Sequence, residues 1–258
     1  MDLDLKGKTA LVTGSYRGTG LIIAQTLIEE GVNTLVHGLK APQAEKAVME
    51  LGGGIAITAD ITTQEGCEEL VELANGHSLD IIVNNYGTAD PNSWKEGGSG
   101  PWFGAYEKNV LSAQRITQGL LPALLKKKWG RVINLGTTGS TKPSRKNPAY
   151  YSAKGALVAM TVSLAGELAN TGVTANIVSP GLILTPEVKQ QLVDQSAKKK
   201  EKATWEDIEA RVAKDIPIGR IVRREEVANI IVFLCSPKAD AIHGQNIKVD
   251  GGALGIVS

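Results

Sequence analysis

Short apolar runs alternate along this chain with longer stretches in which apolar residues recur every three or four positions. Residues 8–13 form the first run, and Leu21, Ala24, Leu27 and Ile28 then mark one face of a helix reaching residue 30. Further short runs at 34–37, 55–58, 79–83, 131–135, 173–178 and 246–249 read as strands. Between them lie helical patterns at 42–51, stopped by glycines at 52–54, and around Leu70, Val71 and Ala74, where Thr62 and Glu65 have capping-box spacing. A polar, Gly/Pro/Ser-rich loop is expected at 88–100. The long helix after it ends near residue 128, another spans 147–170, and a last one covers 225–234. Strands alternating with helices predict βαβ units: an α/β fold, doubly wound, with a parallel sheet covered on both faces. No repeat or composition break divides the chain, so a single domain over 1–258 is expected.

Composition narrows the function. Hydrophobic residues make up 42% of the chain, enough for a large core, and 28 basic against 27 acidic residues leave a net charge of +1. Neither nucleic acid nor an anionic membrane is implied as a partner. With no signal-peptide pattern and no membrane-length apolar run, a cytoplasmic protein is expected. Cys67 and Cys235 fall inside helical patterns and read as buried thiols, and none of the 3 histidines has the company of a metal ligand set, so no metal is expected.

Two local patterns carry chemistry. Gly14, Gly18 and Gly20 lie between the first strand and its helix, where backbone N–H groups and the helix dipole can hold a phosphate. Their spacing is G-x-x-x-G-x-G, not the commoner G-x-G-x-x-G, and glycines there also serve tight helix–strand packing. The second pattern is Tyr150-x-x-x-Lys154, one turn apart at the start of a helix for which Asn147 is the expected N-cap and Pro148 the first residue. A phenol beside an ammonium is an acid/base pair, and the cation should pull Tyr150 below its usual value near 10. A tyrosine that merely packs is the alternative when the pair is taken alone.

Taken together, the motifs resemble the short-chain dehydrogenase/reductase family over essentially the whole chain, and its 3-oxoacyl-carrier-protein reductase-like members in particular. They are Thr13-Gly-x-x-x-Gly-x-Gly20, Asp60 after the third strand, Asn84-Asn85-x-Gly87, Asn109 and Tyr150-x-x-x-Lys154. Asn176-x-x-x-Pro180-Gly181, Thr185 and Val249-Asp-Gly-Gly252 complete the set. The resemblance implies a Rossmann-type sheet of about seven strands. It also implies hydride transfer between a nicotinamide and an alcohol/carbonyl substrate of ketone, aldehyde or 3-oxoacyl type. Tyr150 would be the general acid in reduction and the base in oxidation. Lys154 would bind the nicotinamide ribose, and Asn109, at a distortion of its helix, would hold a water leading from Lys154 to solvent.

The chain departs from the family at Thr137, which takes the place of the usual catalytic serine, with Thr138 and Ser140 as substitutes, and at Tyr86, where alanine is usual. By position, the cofactor set is Gly14, Ser15, Arg17, Gly18, Thr19, Gly20, His37, Gly38, Lys40, Asp60, Ile61, Asn85, Gly87, Tyr150, Lys154, Pro180, Gly181, Ile183 and Thr185. After the second strand the chain reads His37-Gly38-Leu39-Lys40, with no acid for a ribose 2′-hydroxyl, and Arg17 and Lys40 suit a 2′-phosphate. NADP(H) is therefore favoured over NAD(H). An NAD-dependent dehydrogenase and a non-catalytic cofactor-binding sensor are the alternatives. The resemblance also implies a homotetramer, paired through helices at 104–128 and 150–170 and through the last helix and strand. Residues 186–215 should form a helical lid over the substrate, its two halves loosely joined by a charged break at 198–202.

Overall fold

The β-branched and leucine-rich runs do pair side by side. In the computed structural model, which describes residues 1–95, 98–199 and 201–255, β1 (Thr9–Val12) leads through α1 (Gly18–Glu29) to β2 (Asn33–Gly38). Next come α2 (Ala41–Leu51), β3 (Ile55–Thr58), α3 (Gln64–Asn75) and β4 (Ile81–Asn84). A loop reaches α4 (Gly100–Tyr106), which passes through a π-helical turn (Glu107–Leu111) into α5 (Ser112–Lys127). Then follow β5 (Gly130–Leu135), α6 (Pro148–Glu167), β6 (Val173–Pro180) and β7 (Ile183–Leu184). The chain continues through α7 (Pro186–Lys198), α8 (Trp205–Val212), β8 (Val222–Arg223), α9 (Arg224–Leu234) and β9 (Asn246–Val249). Residues 96 and 97 of the expected loop at 88–100, and Lys200 of the expected charged break, lie outside the described residues.

Seven of these strands make one parallel sheet in the order β3-β2-β1-β4-β5-β6-β9, the doubly wound α/β fold the alternation predicted. Each strand alternates its side chains between two cores. Ala10, Val12, Ile81 and Val83 face Ile23 and Leu27 of α1 and Val227 and Ile231 of α9. Leu11, Leu35, Ile82 and Val132 face Leu70 of α3 and Ile116, Leu120 and Leu124 of α5. Among the described residues, no helix is long and apolar enough to cross a membrane.

Buried side-chain amides fix α5 and α6 to the sheet beneath the future site. Asn84 Nδ2 donates to Thr117 Oγ1 (2.9 Å) and to Asn134 Oδ1 (2.8 Å), and Asn134 Nδ2 donates to Thr161 Oγ1 (2.8 Å). In a low-dielectric interior such satisfied bonds lock one arrangement of β4, β5, α5 and α6.

Four local expectations need correction. The α3 cap is Thr63, one residue later than expected, whose hydroxyl accepts the Gly66 N–H at 3.0 Å. Asn147 occupies the N-cap position of α6 but in the left-handed region (φ 56°), and its side chain makes no cap. The long helix expected at 104–128 begins earlier, at Gly100, and the distortion expected at Asn109 is a π turn. Finally, the halves of 186–215 are braced rather than loose: Glu201 accepts from Ser196 (2.9 Å) and Arg211 (2.6 Å), and the Lys189 ammonium sits 4.8 Å from the centre of the Trp205 ring. β7 and β8, a two-residue parallel pair flanking these helices, were too short to show as runs.

Candidate active site

Strand order reverses between β1 and β4, and a parallel sheet opens a crevice at such a switch point. Here the cleft has a volume of about 580 Å³ and is lined by Gly14, Tyr16, Arg17, Gly18, Thr19 and Gly20 on one side. Leu39, Asn85, Tyr86, Gly87, Thr88, Ala89, Asp90, Leu135 and Glu187 complete it. No side chain caps α1, so its first-turn N–H groups face the cleft mouth as a ready anion site. Asn85 braces the turn, its Nδ2 donating to Thr13 O (2.8 Å) and Gly14 O (3.2 Å).

Of the predicted cofactor set, Gly14, Arg17, Gly18, Thr19, Gly20, Asn85 and Gly87 line this cleft. His37 and Ser15 do not: both are fully buried behind the glycine turn. His37 Nδ1 accepts the Gly14 N–H (2.9 Å), its Nε2 pairs with Ala59 O (3.0 Å), and its own N–H donates to Ser15 Oγ (2.8 Å). Burial pushes the imidazole down to about 4, so it is a neutral staple holding β2, β3 and the turn together. Gly38 is set by packing, since a Cβ there would lie 2.9 Å from Ala44 N and from Gln43 Cβ of α2. Lys40 is exposed at the start of α2, and Leu39 rather than Lys40 lines the cleft.

The remaining predicted residues stand outside the lining. The Asp60 carboxylate accepts from Thr62 N–H (3.1 Å) and its hydroxyl (2.7 Å), and Ile61 is core. Pro180, Gly181 and Ile183 follow the end of β6, and Thr185 caps α7 by accepting the Val188 N–H at 3.2 Å. Glu187, one residue into that helix, was missed. Its own backbone N–H and the Thr185 hydroxyl hold its carboxyl below the usual range, with the Arg17 and Arg224 charges adding to the effect. Tyr86, flagged only as a departure, forms a wall: its backbone N–H donates to Thr13 Oγ1 (3.0 Å), and its ring packs against Gly14.

None of the four predicted catalytic residues lines the cleft; Lys154 and Asn109 meet behind its Gly87. Tyr150 stands in the first turn of α6, where the Thr137 side chain favours its phenolate. Thr137 Oγ1 also accepts the Gly139 N–H (3.2 Å), whereas the Ser140 hydroxyl is spent on Thr137 O (2.8 Å). Lys154 is buried and donates to Leu135 O at 2.7 Å. Gly87 shows how tightly the rest converges: a Cβ on it would lie 2.5 Å from Asn109 Oδ1 and 3.1 Å from Lys154 Nζ. The π turn aims Asn109 inward, its Nδ2 donating to Ala105 O (2.9 Å) and Thr88 O (3.0 Å). Its Oδ1 is buried without a protein partner, an acceptor facing the site.

The expected depression of Tyr150 is not found. Burial pushes the phenol up to about 12, the neighbouring Tyr151 adds to this, and the Thr137 hydroxyl opposes it. The Lys154 ammonium is bonded to a carbonyl instead of the phenol, and its own burial lowers it to about 8. In the free protein, burial sets both values, and neither group is among the causes of the other's shift.

Comparison with known proteins agrees with this arrangement. A family model described as enoyl-(acyl carrier protein) reductase matches residues 14–253. D-beta-hydroxybutyrate dehydrogenase of Cupriavidus necator is 35% identical over 254 residues, covering 96% of this chain and 98% of that protein. The 3-oxoacyl-acyl-carrier-protein reductase FabG of Vibrio harveyi is 32% identical, covering 97% and 98%. Among solved structures, L-sorbose reductase from Gluconobacter frateurii, complexed with NADPH and L-sorbose, superposes with a TM-score of 0.93 at 31% identity over 100% of both chains. The chain belongs to the short-chain dehydrogenase/reductase family. As a member it is an NAD(P)-dependent oxidoreductase acting on CH–OH or carbonyl groups.

Proposed function

We propose that this protein is an NADP(H)-dependent reductase of small ketones and related carbonyl compounds, with the reverse oxidation available. The observation that supports the reading is a cleft floored by a glycine turn, with Lys154 and Asn109 meeting behind its Gly87 and Thr137 acting on the Tyr150 phenol. The cleft fits a dinucleotide: it has an uncapped helix N-terminus for a pyrophosphate, and Gly87 leaves free the space beside Lys154 and the unpartnered Asn109 Oδ1. Once bound, the nicotinamide supplies or accepts the hydride. Thr137 orients the substrate oxygen, and Tyr150 donates its O–H proton to that oxygen in reduction and takes it back in oxidation. Lys154 holds the ribose, and Asn109 Oδ1 holds the water that returns the proton to Tyr150 by way of Lys154. The α7–α8 pair borders the cleft through Glu187, which supports its reading as a lid on the substrate side. The L-sorbose reductase neighbour supports a ketone substrate, polyhydroxylated ketones included.

The test is NADPH oxidation with L-sorbose, simple ketones and aldehydes, and 3-oxoacyl thioesters. Turnover of at least one class with NADPH, and much weaker turnover with NADH, is expected; silence across all classes overturns the reading. Cofactor choice rests on Arg17, which lines the cleft, and on Gly38, where packing against α2 leaves no room for an acid. Arg17→Ala should weaken NADPH by about 10- to 100-fold, the worth of a charge-assisted phosphate contact, and barely change NADH. Equal affinity of the parent protein for both cofactors counts against it.

We also propose a homotetramer, paired through α4–α5 and α6 at one two-fold contact and through α9 and β9 at a second. Phe103 on α4 (74% exposed) and Val162 on α6 (52% exposed) present large apolar side chains on those helices. Light scattering at micromolar concentration should give four times the 27.2 kDa chain mass, and a monomeric mass refutes the assembly.

A further inference from the structure

We propose that Asn92, in the loop after β4, is a positioning residue for Tyr150: it supplies the N-terminal cap of the helix that carries the tyrosine. The proposal rests on the active-site reading above. The residue at the N-cap of α6, Asn147, leaves its own helix uncapped because its backbone is left-handed and its side chain points elsewhere. The missing acceptor comes from across the site. Asn92 Oδ1 accepts the N–H of Ala149 at 3.1 Å, the residue directly before Tyr150.

Two more bonds tie the same residues together. Asn147 N–H donates to Asn92 O (3.1 Å), and Asn92 N–H donates to Asn147 Oδ1 (3.4 Å). The segment holding Asn92 is itself anchored two and four residues earlier. Asn92 Nδ2 donates to Asp90 O (3.1 Å), the Asp90 carboxylate pairs with Lys108 (2.7 Å), and Thr88 O accepts from Asn109 Nδ2 (3.0 Å). Lys108 and Asn109 belong to the π turn. Residues 88, 90 and 92 thus form a strap gripping the turn of Asn109 at one end and the first turn of α6 at the other. It sets the separation between groups that must meet over Gly87.

A lost cap costs too little to unfold a protein of this size, and is expected to lower Tm by about 2–4 °C. Reaction geometry is far less tolerant, since a misplacement of about 1 Å can cost on the order of 10²-fold in rate. Loosening this strap therefore acts on turnover before it acts on folding.

In the full-length protein, Asn92→Ala should lower kcat by about 10- to 100-fold while KM and NADPH affinity stay within about twofold. Asn92→Asp, whose carboxylate accepts the same Ala149 N–H but cannot donate to Asp90 O, should restore part of kcat and exceed the alanine variant. Asn92→Gln, one methylene longer, keeps size and polarity but misplaces the oxygen, and should behave like the alanine variant; it decides the matter if Asn92→Ala does not fold. The proposal is overturned by a kcat within about twofold of the parent in the alanine or glutamine variant, by an aspartate no better than alanine, or by a loss carried by KM alone. A chain that folds with neither alanine nor glutamine overturns it too, since Asn92 would then be purely structural. Tyr150→Phe, run in parallel, separates the two readings: if it stays active, the active-site assignment fails, whatever Asn92 does.

Discussion

Tyr150→Phe is expected to lower kcat by about 10²–10⁴-fold, the usual worth of one positioned acid, with NADPH affinity within about twofold of the parent. The substitution removes one oxygen and little else. The ring keeps its edge contact with Tyr151, 5.3 Å between centroids, and Thr137 Oγ1 keeps the Gly139 N–H. No charge is stranded, because Lys154 is bonded to Leu135 O and not to the phenol. The parent should also show a direction-dependent pH profile. With the phenol at about 12 in the free protein, the acid form dominates at neutral pH. Reduction, which uses that form, should be flat through neutrality, whereas oxidation, which uses the phenolate, should accelerate as pH rises. Steady-state kinetics in both directions with a cofactor titration decide this. A variant retaining near-parental kcat on a good substrate removes Tyr150 from its role.

Most of the architecture was legible because it is written in local periodicity. The seven sheet strands and the helices between them announce themselves as apolar runs and apolar stripes, and the glycine turn sits where β1 must bend into α1. What stayed hidden depends on partners distant in sequence. Arg131 reads as an ordinary strand residue, yet it is fully buried, stacked 4.3 Å from the centre of the Trp129 ring and paired with Asp240, 109 residues on in sequence. His37 looked available to a cofactor because chain position cannot show that Gly14 and Ala59 take up both ring nitrogens. The same holds for the tyrosine–lysine pair. Spacing placed the two side chains on one helix face, but only the packed interior shows that Lys154 bonds Leu135 O and that burial shifts both groups. Glu187 and Asn92 lay in segments read as lid and loop, where no periodic signal singles out a residue.

Lys154→Met should abolish most turnover and yet stabilise the cofactor-free protein at pH 7. Lys154 is 3% exposed, and burial lowers it from 10.5 to about 8. Below pH 8 both the folded and unfolded chains carry its proton, so the folded state bears the whole cost of a buried charge, about 3 kcal/mol at most. Between pH 8 and 10.5 the folded chain releases the proton while the unfolded chain keeps it, so the parent regains stability as pH rises across that window. Methionine fills a similar volume without the charge, but it leaves Leu135 O without its 2.7 Å donor, which takes back about 1 kcal/mol. A net gain of about 1–2 kcal/mol at pH 7 follows, shrinking toward pH 10.5. Urea unfolding of parent and variant at pH 7 and pH 10, both without cofactor, measures it. A variant less stable than the parent at pH 7, or a difference that does not change with pH, would show that the Lys154 charge is not costly where it stands. The expected pattern is a residue kept for chemistry at the expense of stability: its ammonium lies beside the space that Gly87 leaves free, where the proposed mechanism sets a ribose and a relayed proton.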